Sequence, residues 1–160
     1  GAGVTNPHAV AIAKDGLIYV ADTGGNKIAV FDKTGEKIAF TIEKVDAGGA
    51  PTLANPMGVA VFDNIFAISD TGNKRVLLMS RPTKGAESYK ATAIAPFGFE
   101  PQSLIVGNDG RIYVVDRNMV QGYTKDGKNF ATYKARNSQW SGNPRIRPAD
   151  ARSPASVRYG

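Results

Sequence analysis

The sequence predicts an all-β chain made of one repeated four-stranded unit, and three observations carry that prediction. Pro7, Pro56 and Pro101 are separated by 49 and 45 residues, near the roughly 40–50-residue period of repeat folds whose unit is a small sheet. Val, Ile, Tyr and Phe gather in runs of strand length, as half-buried strands prefer. The runs are divided by Asp15-Gly16, Thr34-Gly35, Asp109-Gly110 and Asp126-Gly127, where glycine supplies the positive φ of a tight hairpin. No segment shows a sustained helical period behind a capping residue.

The first unit opens with Asn6-Pro7-His8-Ala9-Val10-Ala11-Ile12 and turns at Lys14-Asp15-Gly16. It continues through Leu17-Ile18-Tyr19-Val20-Ala21-Asp22-Thr23-Gly24 and Asn26-Lys27-Ile28-Ala29-Val30-Phe31. Its four strands are expected at about 8–13, 17–22, 27–32 and 36–42. The second unit repeats the pattern as Asn55-Pro56-Met57-Gly58-Val59-Ala60-Val61, Asn64-Ile65-Phe66-Ala67-Ile68-Ser69-Asp70-Thr71-Gly72 and Lys74-Arg75-Val76-Leu77-Leu78-Met79, with its first turn one residue shorter. The third runs from Glu100-Pro101-Gln102 through Arg111-Ile112-Tyr113-Val114-Val115-Asp116 to Tyr123, and Asp116 passes straight into Arg117-Asn118 without a Thr-Gly loop. Four-stranded sheets repeated radially protect most of their edges, so the expected architecture is a β-propeller of four-stranded antiparallel blades.

The frame Pro-x-x-Val-Ala-Ile, Asp-Gly, Ile-Tyr-Val-Ala-Asp-Thr-Gly and Asn-Lys-Ile-x-Val-Phe resembles the NHL repeat. It matches across residues 6–42, well over 55–79 and more loosely over 100–133. Blades are expected at about 6–44, 55–96 and 100–136, followed by a polar, irregular connector from about 137 and the possible first strand of a fourth blade up to 160. Pro154 and Val157 stand as Pro7 and Val10 do. The resemblance implies rings of about six blades. Three blades leave two apolar flanks open, so the chain is expected either to be a fragment or to associate, with a protein partner or with itself.

Composition narrows the chemistry. There are no cysteines, which excludes disulfides, Cys-ligated zinc and c-type haem attachment. No apolar run approaches the roughly 20 residues of a membrane-spanning helix. The N-terminal residues carry no targeting pattern. By resemblance to bacterial NHL proteins, many of them exported, the expected location is extracytoplasmic, with the cytoplasm as the alternative.

Candidate site residues come from repeat position. His8 is the only histidine, at the start of an inner strand, with Met57 and Gln102 as its equivalents, and these three are expected to line the channel mouth. A zinc site of the kind found in propeller lyases needs histidines at several such positions, so no metal and no cofactor are expected. Asp22, Asp70 and Asp116 end the second strands, and their expected role is bonding the amides of their own turns. Neither a nucleophile elbow nor a phosphate loop is present.

Charge is uneven. The chain holds 20 basic and 14 acidic residues, a net of +6. Residues 1–133 contribute only +1, and the remainder comes from Lys134, Arg136, Arg145, Arg147, Arg152 and Arg158 against Asp150. Arg136, Arg145, Arg147 and Arg152, with Trp140 and Tyr133, are a candidate Arg-aromatic patch for a protein partner or for RNA. The favoured reading is a non-catalytic binding or scaffolding propeller. RNA binding through residues 133–158, or a propeller lyase or hydrolase whose catalytic groups lie outside this chain, are the alternatives.

Overall fold

The structure is a computed structural model that describes residues 3–94, 100–136 and 139–141, with side chains described up to residue 134. Fifteen strands and one short 3-10 turn, Thr71–Asn73, are found among the described residues. Blade one is β1 (Pro7–Ile12), β2 (Ile18–Asp22), β3 (Lys27–Phe31) and β4 (Ile38–Ile42), antiparallel in that order. A two-residue strand β5 (Val45–Asp46) follows. Blade two is β6 (Gly58–Phe62), β7 (Ile65–Asp70), β8 (Arg75–Ser80) and, after β9 (Tyr89–Lys90), the outer strand β10 (Thr92–Ile94). Blade three is β11 (Leu104–Val106), β12 (Ile112–Asp116), β13 (Met119–Tyr123), β14 (Asn129–Arg136) and β15 (Gln139–Ser141).

The turns form where the sequence places glycine. Gly16, Gly35, Gly110 and Gly127 all have positive φ, the conformation a side chain would strain. Blade two's first turn, one residue shorter, closes as a two-residue hairpin in which Asp63 itself takes φ 49°, within the reach of Asp and Asn.

Three expectations are corrected. Residues 139–141, expected in an irregular connector, add a fifth strand to blade three, because the ladder of Asn129–Arg136 continues past Tyr133 and pairs with them. The connectors also hold unpredicted structure, for β5 and β9 pair in parallel and tie the segment after blade one to blade two. Two-residue strands leave too short a pattern to read from sequence.

The third correction concerns the aspartates. Asp22 Oδ1 accepts the amides of Thr5 and Asn6 at 2.8 and 2.9 Å, and Asp70 Oδ1 accepts that of Ala54 at 2.8 Å. Each carboxylate thus clamps the approach to its own blade's inner strand, sixteen or seventeen residues back, more than its own turn. The strand ladder brings the second strand's end beside the first strand's start, and a buried carboxylate there meets amides that have no ladder partner. Asp116 alone stays local, bonding the amide of Arg117.

The blades stack face to face. Tyr19, Ala21, Ile28 and Val30 of blade one pack on Val59, Phe66, Ile68 and Leu77 of blade two, with the Tyr19 and Phe66 rings 4.8 Å apart. Ala60, Ala67, Val76 and Leu78 on blade two's other face pack on Leu104, Ile112, Val114 and Tyr123 of blade three. Between sheets, β1 touches β6 and β6 touches β11, so the inner strands converge on one axis. Gly58 is required there, since a Cβ would lie 2.6 Å from the Gln102 carbonyl oxygen.

Candidate functional site

The axial rim is assembled by repeat position. His8 is the extra residue of a β-bulge, because Pro7 pairs with Asp22 while Ala9 pairs with Ala21. A bulge re-aims the side chain it carries. His8 is exposed, with Nδ1 3.4 Å from the Asn6 carbonyl. Met57 and Gln102 precede β6 and β11 in the same way, their amides donating to Ser69 and Val115 carbonyls at 3.1 and 2.8 Å. All three thus stand at the starts of converging inner strands. Around them no group of three His, Asp or Glu side chains arranged for a metal ion occurs among the described residues.

Arg136 and Trp140 lie on the β14–β15 hairpin, where Arg136 pairs with Gln139 and Ala135 with Trp140. Their backbones are at the outer edge of blade three, not in an irregular connector. Arg145, Arg147 and Arg152, and the fourth-blade strand expected around Pro154, lie outside the described residues.

Among the described residues, exposed large apolar side chains stand on two flanks. Val10 and Ile12 on blade one are 62% and 65% exposed, and Ile105 on blade three is 61% exposed. Their equivalents inside the stack are buried or half-buried, as with Val59 and Val61. The blade-three flank forms a hollow of about 400 Å³ lined by Ser103, Leu104, Ile105, Tyr113, Val115 and Val120.

The residues that hold the blade junctions escaped sequence reasoning. Thr23 and Thr71 hydroxyls donate across the junctions to the Pro56 and Pro101 carbonyls at 2.7 and 2.6 Å. Arg81 Nε donates to the Tyr19 hydroxyl at 2.9 Å, and its guanidinium pairs with Asp15. The bonds to Tyr19 and then Asp15 raise the Arg81 pKa, and the Arg81 bond is the main cause that lowers that of Asp15. Arg75, buried, bonds Asp70 at 2.7 Å and the Gly48 and Ala50 carbonyls at 3.0 and 2.7 Å. One signal was present, a cation after each third strand: Lys33, Arg81 and Lys125.

Stacked four-stranded sheets converging on inner strands define the class as a β-propeller. Within it, residues 5–31, the first blade's opening strands, match the family model for the NHL repeat. Similar solved structures include virginiamycin B lyase from Staphylococcus aureus, with TM-score 0.60 and 16% identity over 86% of this chain and 55% of that one. A gluconolactonase from Xanthomonas campestris has TM-score 0.62 and 14% identity over 90% and 56%. Kuenenia stuttgartiensis hydrazine synthase has TM-score 0.60 and 13% identity over 81% and 36%. The chain therefore spans about half the length of the lyase and the gluconolactonase, and about a third of the synthase chain. At these identities the likeness is one of fold. No curated protein sequence matches the chain.

Proposed function

We propose that the chain is a non-catalytic binding and assembly module that works through its two open flanks. The observation that carries this reading is the pairing of exposed Val10 and Ile12 on one flank with Ile105 and its apolar hollow on the other. Contiguous apolar surface of this kind marks interaction sites. The axial rim offers His8, Met57 and Gln102, a set with one titratable side chain, which favours recognition over acid–base or metal chemistry.

The enzyme names among the structural neighbours keep a second reading in view, in which His8 serves a lyase- or lactonase-like site completed by groups outside this chain. One assay separates the two. The purified chain is incubated with a gluconolactone and with a streptogramin B, with and without divalent cations, and compared with His8→Ala. The binding reading predicts no turnover above buffer. Turnover that His8→Ala abolishes would overturn it.

A further inference from the structure

The strand registers equate positions between blades. Ile18, Phe66 and Ile112 pair with Phe31, Met79 and Tyr123 respectively. Tyr19, Ala67 and Tyr113 therefore share one position, and Lys33, Arg81 and Lys125 share another. Asp15 and Asp109 also correspond, each accepting the amide two residues on, from Leu17 at 3.1 Å and Arg111 at 3.0 Å.

At the first junction these positions form a polar clamp in which Arg81 of blade two bonds Tyr19 and Asp15 of blade one. The second junction cannot form it, because Ala67 stands where the tyrosine would. The outer flank of blade three carries the acceptor pair again, Tyr113 and Asp109, the latter beside Arg111 of its own blade at 3.5 Å in an exposed ion pair, next to exposed Ile105 and Val115. The free flank of blade one carries the matching cation, Lys33, exposed and without an ion pair among the described residues, beside exposed Val10 and Ile12. One molecule thus displays both halves of its own first junction. Blade three also lacks the threonine that latches the other two junctions, Arg117 standing in its place, so polar hold on that flank falls to the clamp.

Resting on the reading of the flanks as binding surfaces, we infer that the partner is a second copy of this chain, whose blade-one flank seats on the blade-three flank of the first with its Lys33 bonding Asp109 and Tyr113. The contact is head-to-tail, which closes into a ring when the rotation allows. The chain covers 55% and 56% of the lyase and gluconolactonase propellers, so two copies amount to one ring of that size. The axial rim is then complete only in the pair, with two sets of His8, Met57 and Gln102 around one axis.

The test is light scattering after size-exclusion chromatography of the 160-residue chain over a concentration series. The expected species is about 34 kDa, twice the 17.0 kDa of one copy. Lys33→Asp and Asp109→Lys each weaken association about tenfold, since each reversal acts at both junctions of the ring. The double reversal in one chain restores it, because the exchanged charges again face each other with opposite sign across the contact. Both positions are exposed, and circular dichroism of each variant verifies the fold. A 17.0 kDa monomer at every concentration overturns the second-copy partner while leaving the binding reading standing for some other polypeptide. A dimer indifferent to both reversals, or one that the double reversal fails to restore, overturns the head-to-tail contact.

Discussion

The two junctions between blades share an apolar plan and differ in how polar groups reinforce it. Both pack aliphatic side chains of one sheet against those of the next, with an aromatic ring in each cluster, and both are latched by a threonine hydroxyl on the next blade's proline carbonyl. The first junction adds the Arg81 clamp, a Lys14–Asp63 pair at 2.7 Å, an Asn55 amide donating to Asn26 at 2.8 Å and the Arg75-held connector. The threonine latch holds both junctions, whereas the clamp holds only the first. A flank that displays half a clamp is therefore specific in a way that bare apolar surface is not.

The largest effect that separates the junctions is expected from Arg75→Ala. Removing the cation leaves the fully buried Asp70 with only neutral donors and frees the Gly48 and Ala50 carbonyls. Breaking a buried pair from one side costs about 3–5 kcal/mol. Urea unfolding should show that loss, and hydrogen exchange should place it in β5, β9 and the first junction ahead of blade three.

Asp22→Asn should come next. Burial is the strongest influence on Asp22 and opposes its charge. The amides of Asn6 and Thr5, helped by Lys27 at 3.9 Å, together outweigh burial and hold the pKa below its ordinary value. A depressed folded-state pKa stabilises above the unfolded value of about 3.9 and is lost as pH falls through the folded value. The variant should lose about 1–3 kcal/mol at neutral pH and show a shallower acid limb below pH about 4 in pH-dependent urea melts. An acid limb as steep as the parent's would count against this role.

Thr71→Val and Thr23→Val test the shared latch. Each strips a buried hydroxyl from a buried carbonyl, a change of about 1–2 kcal/mol. The effect on exchange protection across the junction should be greater for Thr71, since the second junction has no clamp to share the load. Lys14→Ala should be smallest, within about 1 kcal/mol, because both partners of its ion pair are largely exposed.

These contrasts also explain what the sequence made legible. The proline frame, the strands and the Asp-Gly turns are local patterns, and residues 6–42 displayed them almost without interruption. Repeat position also singled out His8, Met57 and Gln102 as equivalent residues at the starts of the three inner strands. Contacts between blades were hidden, because Arg81 meets Asp15 across 66 residues of chain and reads in sequence as one more solvated cation. The same distance hid the true partners of Asp22 and Asp70, whose carboxylates look like turn residues until the ladder brings the strand starts alongside. Arg75 was masked by its neighbour Lys74, for a Lys-Arg pair carries no sign of which one is buried.

The most direct test of the flanks as working surfaces is hydrogen–deuterium exchange of the parent chain at low and high protein concentration. The account predicts that protection rises with concentration at Val10–Ile12 and Leu104–Val106, while β6 and β7, already enclosed between blades, stay unchanged. Protection that is independent of concentration at both flanks, or that rises uniformly along the chain, would contradict it.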